Sequence, residues 1–492
     1  MFLAKKLLPR LLFAASVVLA AFVASDVRGQ PQGAAPRVTL YEGARLITGD
    51  GSPAIENSAF LVTGNQFTRI GRKGEVPLPA GATRVDLTGK TVMPTLVDMH
   101  GHFGFQNLIA GTMSKETFTR ENLIDHLQRL AFVGVGAVVG VGDLVDRSDM
   151  HGGRTKWGDV PLRVRNEVIP GAALFKTAGP GMAWPGSGAQ GDPSRVDVSY
   201  PVSTPEEARA AVRDYAVMKP EFIKIWVDDR DGAKKTLTPE LYGAILDEAH
   251  KLNVPVGVHN VKLSDAKLMM KGGMEGWLHV PVRGGDVVDN EMIALVKDRI
   301  ARRDRPNMWV TPSLITAWMN IQGGPQRPAW LEDPLLKALY SQPHIEQYWG
   351  EPLKKMTPAQ LAQAKAAFAA DGKNMMVLRA AGMKVVGGTD TGQRRHLLAF
   401  QNHLDLESMV AMGMTPGEAI KAATSDGAAA GHFNTGLVAP AKNADFIVLD
   451  ANPLDNIANT RKINKVYLRG EEVPRAQYAA KWQAQFRTAA AK

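Results

Sequence analysis

Short alternating stretches of apolar and polar residues occupy 38–40, 59–62, 67–70 and 84–87, separated by turn sequences such as Gly49-Asp50-Gly51 and Thr63-Gly64-Asn65. Successive side chains on a strand face opposite ways, so this texture predicts a small antiparallel β unit over 37–92. It returns at 444–449 and 465–468, and the two ends are expected to form one β domain around a central insert. The insert has a different rhythm. Continuous apolar runs at 92–99, 133–141, 222–227, 254–258, 277–280, 308–311 and 384–386 alternate with helical segments. Three helix starts are explicit: Thr204-Pro205-Glu206-Glu207, Thr357-Pro358-Ala359-Gln360 and Thr415-Pro416-Gly417-Glu418. Each places Thr at the N-cap, Pro at the first helical position and Glu or Gln at the third. Repeated strand–helix units predict a parallel sheet, either closed as a (β/α)8 barrel or open and doubly wound. No G-x-G-x-x-G follows a strand and no G-x-x-x-x-G-K-[ST] occurs, which disfavours the nucleotide-binding open sheet.

Composition narrows the chemistry. The 492 residues include no Cys, so disulfides, thiolate-held metals and thiol nucleophiles are excluded. The net charge of +9 is spread without any block of five like charges, and nucleic acid is not an expected partner. Lys5, Lys6 and Arg10 precede an apolar run at 11–24 and then small and polar residues, the order of a secretory signal peptide over 1–29. That run is too short to span a bilayer. The expected destination is periplasmic or extracellular, with no membrane contact after signal removal. Two stretches, 143–201 and 314–358, exceed ordinary loop length; the second holds Trp318, Trp330, Tyr340, Tyr348 and Trp349. Such loops serve as lids or as subunit contacts, so homo-oligomerisation stays open.

Candidate chemistry sits at strand ends. In His100-Gly101-His102 the two imidazoles at i and i+2 face the same side. Lys224 lies in the apolar run Phe222-Ile223-Lys224-Ile225-Trp226, where alternation puts Phe222, Lys224 and Trp226 on one face. A lysine there is either salt-bridged, or neutral and able to capture CO2 as a carbamate, an anionic two-oxygen ligand. His259 follows 254–258, His279 ends the next run, and Asp390 lies just beyond 384–386. Residues at the C-terminal ends of several barrel strands converge on one mouth. His126, His250, His344 and His432 do not end strands, whereas His151, His396 and His403 are ambiguous.

Val92-Met93-Pro94-Thr95-Leu96-Val97-Asp98-Met99-His100-Gly101-His102 resembles the first-strand signature of the amidohydrolase superfamily. Asn434-Thr435-Gly436-Leu437-Val438-Ala439-Pro440-Ala441-Lys442-Asn443-Ala444-Asp445 is similar to its return to the β domain. The resemblance runs in order from about residue 37 to 475 and is nearest to the imidazolonepropionase and metal-dependent prolidase branch. Thr95 stands where the family usually has Gly, and Lys442 lacks the usual preceding Gly. The resemblance implies an α/β fold: a (β/α)8 TIM-type barrel over 93–429, with a composite β-sandwich from 37–92 and 430–475, then a helix over 476–492. It implies two divalent ions, zinc by default. His100, His102, Lys224 and Asp390 would hold one; carbamylated Lys224, His259 and His279 would hold the other. The implied reaction is hydrolysis of an amide or peptide-type C–N bond in a dipeptide or N-acyl amino acid, by a metal-bridging hydroxide with Asp390 as proton shuttle. Arg283, Arg394, Arg154, His151 and Trp318 are candidates for contact with this small-molecule substrate. Lactone, ester or phosphotriester hydrolysis fits the same site. A mononuclear deaminase is disfavoured because Lys262 stands where that plan places a Glu. A non-catalytic binding barrel would not retain the full ligand set.

Overall fold

The computed structural model describes residues 36–143, 160–191, 195, 198–302, 308–393 and 396–491. The signal-peptide segment, His151, Arg154 and Arg394 lie outside them. The N-terminal β unit contains β1 (Val38–Glu42), β2 (Ser58–Thr63), β3 (Gln66–Arg72) and β4 (Thr83–Asp86). They form one sheet in the order β3-β2-β1-β4. Two pairings are antiparallel as expected, but β4 runs parallel to β1. The chain between β3 and β4 is long enough to return before pairing, an option that alternation cannot reveal.

β5 (Thr91–Pro94) leads directly into β6 (Leu96–Gly101), followed by α1 (Arg120–Phe132), β7 (Val135–Gly140) and β8 (Leu174–Thr177). β6, β7 and β8 are mutually parallel. After α2 (Pro205–Val217) comes β9 (Ile223–Val227), then α3 (Pro239–Lys251), β10 (Val256–Asn260), α4 (Leu263–Lys271) and β11 (Gly276–Leu278). The series continues through α5 (Asn290–Ala301), β12 (Trp309–Thr311), α6 (Pro358–Ala380) and β13 (Lys384–Val385). β9 to β13 pair in parallel, neighbour to neighbour. Backbone bonds link the two sets of parallel strands at two places. Met99 N donates to Gly387 O at 2.9 Å and Asp390 N to His100 O at 2.7 Å, while Glu221 N donates to Thr177 O at 3.1 Å on the other side. The fold is TIM-barrel-like α/β.

The Thr-Pro starts behave as their chemistry dictates: Thr204, Thr357 and Thr415 each cap a helix in a reciprocal capping box. After α7 (Gln401–Ala411), β14 (Phe446–Leu449) pairs antiparallel with β5, and β15 (Ile463–Leu468) with β14. Both chain ends therefore share a sheet. Tyr41, Phe60, Phe67, Phe446 and Tyr467 form an aromatic cluster between the two sheets, with Phe446 and Tyr467 stacked at 4.5 Å. Such rings supply apolar burial plus geometric preference.

The 314–358 stretch departs from the loop reading. It contains the short helices Ile315–Asn320, Pro334–Leu339 and Gln342–Ile345, each too brief to register as periodicity. Trp330, Tyr340 and Trp349 are buried within it. The last element, α8 (Arg475–Ala490), docks through buried Trp482. The indole N–H donates to Asp125 at 2.8 Å and the Arg129 guanidinium lies 4.3 Å above the ring. No helix among the described residues is long and apolar enough to cross a membrane.

Candidate active site

β6 ends on the two imidazoles, and the loop after β13 returns to meet them. Asp390 N bonds to His100 O and His102 N bonds to Thr391 O, at 2.7 and 2.8 Å. These backbone contacts aim the Asp390 carboxylate at both rings. Its Oδ1 lies 3.0 Å from His102 Nε2 and 3.4 Å from His100 Nε2. Candidate ligand atoms from the three residues fall within 4.8 Å of one another.

Behind them, Asp98 is fully buried. It accepts from His100 N at 2.9 Å, Thr389 N at 3.2 Å, Thr389 Oγ1 at 2.7 Å and Asn402 Nδ2 at 2.8 Å. One carboxylate thus ties the histidine strand to the Asp390 loop.

The other strand-end histidines join the same group. The His279 ring lies 5.0 Å from His100 and 4.3 Å from His259, centroid to centroid. His259 is held by Asp228, whose Oδ2 is 3.0 Å from its Nε2. Asp228 is a site residue that the sequence reading missed. It directly follows β9, so the rule that selected the histidines would have found it too. Lys224 is only 1 % exposed. Its strand alternates as expected: Ile223 and Ile225 enter the main core, whereas Phe222 and Trp226 enter separate clusters. Its Nζ lies 4.9 Å over the Trp226 ring.

Burial and neighbouring charges shift the protonation of these groups. Burial pushes His100 and His279 well below the ordinary imidazole value and brings His102 and His259 to about 4, leaving neutral nitrogens. For Asp390, burial alone would raise the pKa. The surrounding His100, His102 and His279 rings outweigh it and hold the carboxyl well below its usual range. Burial brings Lys224 down to about 7; Asp390 opposes this, while Arg195 and Arg230 reinforce it. A neutral amine is the form that captures CO2.

Whether a cation fits can be read from the donors. His100 Nε2, His102 Nδ1 and His279 Nδ1 are buried without a hydrogen-bond partner among the described residues. Unsatisfied buried nitrogens are costly unless something coordinates them. Nitrogen and carboxylate donors with no sulfur suit zinc and related divalent ions. His100 Nδ1 sits 3.3 Å from Ser313 Oγ and 3.4 Å from Thr311 Oγ1, outer partners of the kind that fix a ligand ring. Asp390, Ser313 and His279 all have positive φ, at 55°, 48° and 146°. Non-glycine residues held this way tend to mark functional sites.

The sequence profile of the amidohydrolase family matches residues 357–473. The superfamily expected from the sequence is the one matched. Among solved structures, a candidate prolidase from Bifidobacterium longum aligns with TM-score 0.66 and 23 % identity, over 92 % of this chain and 99 % of its own. A Xaa-Pro dipeptidase with bound methionine gives 0.65 and 21 %, covering 88 % and 99 %. Phenylurea hydrolase B gives 0.62 and 22 %, covering 89 % and 97 %. At these identities the likeness speaks to the fold alone, a TIM-barrel-like α/β architecture. No curated protein matches the chain.

The remaining candidates separate. Arg283 stands four residues beyond His279, its Nε buried, and its charge reaches His259 and His279. Trp318 is buried in the main core. His403 is structural, bonded to Thr460 Oγ1 and Val133 O. His396 touches the Asp390 carbonyl. Arg195, also missed by the sequence reading, places a buried positive charge near His102 and Lys224.

Proposed function

We propose that this chain is an exported metal-dependent hydrolase of an amide or peptide-type C–N bond in a dipeptide or N-acyl amino acid. The convergence of His100, His102 and Asp390, with His279 and His259 continuing the same ring of donors, carries the reading. In it, the parallel strands close as a (β/α)8 barrel over 93–429, and segments 37–92 and 430–475 form one β-sandwich domain. Residues 1–29 are the removed signal.

His100, His102, Lys224 and Asp390 would hold one divalent ion; Lys224 as carbamate, His259 and His279 would hold a second, both zinc in this reading. When bound, such ions supply Lewis acidity that lowers the pKa of water and polarises a carbonyl oxygen. The chain's own groups do the rest. Asp98 and the backbone bonds to residues 390 and 391 keep Asp390 against the histidines. Asp390 accepts the proton of the attacking water and delivers it to the departing nitrogen. Asp228 fixes the His259 ring, and Arg283 offers a cation to the substrate carboxylate. Carbamylation of Lys224 consumes its neutral amine and CO2 and releases one proton.

A panel of dipeptides and N-acyl amino acids, assayed with zinc and bicarbonate, tests this directly. The expected result is hydrolysis that disappears in Lys224→Ala, with about two equivalents of zinc in the parent protein. Full activity of a metal-free Lys224→Ala protein would overturn it. Activity confined to lactones, esters or phosphotriesters would keep the site and change the bond.

A further inference from the structure

Past His279 the chain makes a loop, 281–288, that two elements grip. Arg283 N donates to Val261 O at 2.9 Å. From the other side buried Asn374, on α6, accepts from Val288 N at 3.0 Å and donates to Val282 O at 3.1 Å and Asp286 O at 2.8 Å. All donor and acceptor capacity of that amide used here goes to one loop, so Arg283 is presented rigidly. Asp371 precedes Asn374 by three residues on the same helix, hence on the same face. The carboxylate that Arg283 feels most strongly is Asp371, followed by Asp390 and Asp228. Yet the two are not hydrogen-bonded: only burial and the Arg283 charge act on Asp371. The Arg283 Nε is buried without a partner among the described residues. Leaving both groups half-buried and unpaired costs stability that an internal salt bridge would have recovered.

We propose that Arg283 and Asp371 form a zwitterion subsite, in which Arg283 receives the carboxylate and Asp371 the protonated amino group of a dipeptide with free termini. This rests on the hydrolase reading and selects between its two substrate forms, because an N-acyl amino acid has no ammonium group for Asp371. Neither residue is itself one of the candidate metal ligands.

The test compares an apolar-residue–proline dipeptide, its N-acetyl derivative and its C-terminal amide on the zinc-loaded parent, Asp371→Asn and Arg283→Gln. The parent should prefer the free dipeptide. Asp371→Asn should lower kcat/KM for it about tenfold, chiefly through KM, while sparing the N-acetyl form. Arg283→Gln should cost about tenfold or more on both and spare the amide. A parent that prefers the N-acetyl form, or an unchanged free-to-acetyl ratio in Asp371→Asn, overturns the subsite while the hydrolase reading stands. If no peptide is cleaved, calorimetric titration of the parent and both variants with the free dipeptide decides separately. Binding lost in both variants upholds the subsite without the activity, and binding absent or indifferent to them overturns it.

Discussion

Lys224→Met should stabilise the metal-free protein even as it removes the proposed activity. The wild-type amine is buried in an apolar strand and titrates at about 7 instead of the ordinary 10.5. Between those values the unfolded chain binds a proton that the folded chain does not. Folding is therefore penalised progressively as pH falls from 10.5 to 7, and by a constant amount below. The gap of about 3.5 pH units, at roughly 1.4 kcal/mol each, makes that constant about 5 kcal/mol. Methionine fills a similar volume without charge, so the substitution removes the penalty. The assay is thermal unfolding of chelated, bicarbonate-free wild type and variant from pH 6 to 10.5. The expected gain is several degrees below pH 7, shrinking to nothing near pH 10.5, so any pH-independent packing effect is separated by subtraction. A gain that does not vary with pH, or no gain at pH 6, would refute the claim that this ammonium is destabilising.

Other expectations concern the frame around the site. His100→Asn should abolish most zinc uptake, measured by metal analysis after dialysis, with little change in circular dichroism. Gly392→Ala should be more damaging than its size suggests. A Cβ there would lie 1.7 Å from the His102 carbonyl oxygen, at a φ of +89°, so zinc uptake and the melting midpoint should fall together. Asp228→Asn should weaken zinc binding about tenfold or more by freeing the His259 ring, read by competition with a chelating dye. For Asp125, burial raises the pKa, but the Arg129 pair and the Trp482 indole bond outweigh it, so the folded carboxyl is held below its ordinary value. Its contribution is present above about pH 4 and is lost as pH falls through the folded value. Asp125→Ala should therefore destabilise at pH 7 by about 1–3 kcal/mol and flatten the acid limb of a stability–pH curve.

Much of this protein is local and therefore legible in its residues. The Thr-Pro-x-Glu/Gln starts became capping boxes because cap and third residue are neighbours in the chain. Lys224 alternates against Ile223 and Ile225 because a strand must. Strand-end positions selected His100, His102, His259, His279 and Asp390, since consecutive parallel strands open their C-terminal ends on one side. What no local pattern contained is distance between remote segments. The aromatic cluster joins Tyr41 to Phe446, and Asp98 binds Asn402 across 304 positions. The parallel pairing of β4, the helices hidden in 314–358 and the joint grip of Val261 and Asn374 on the Arg283 loop are of this second kind. Periodicity reports which face of an element is apolar. Only packing decides which elements meet, and so whether a buried cation such as Arg283 finds an internal hydrogen-bond partner.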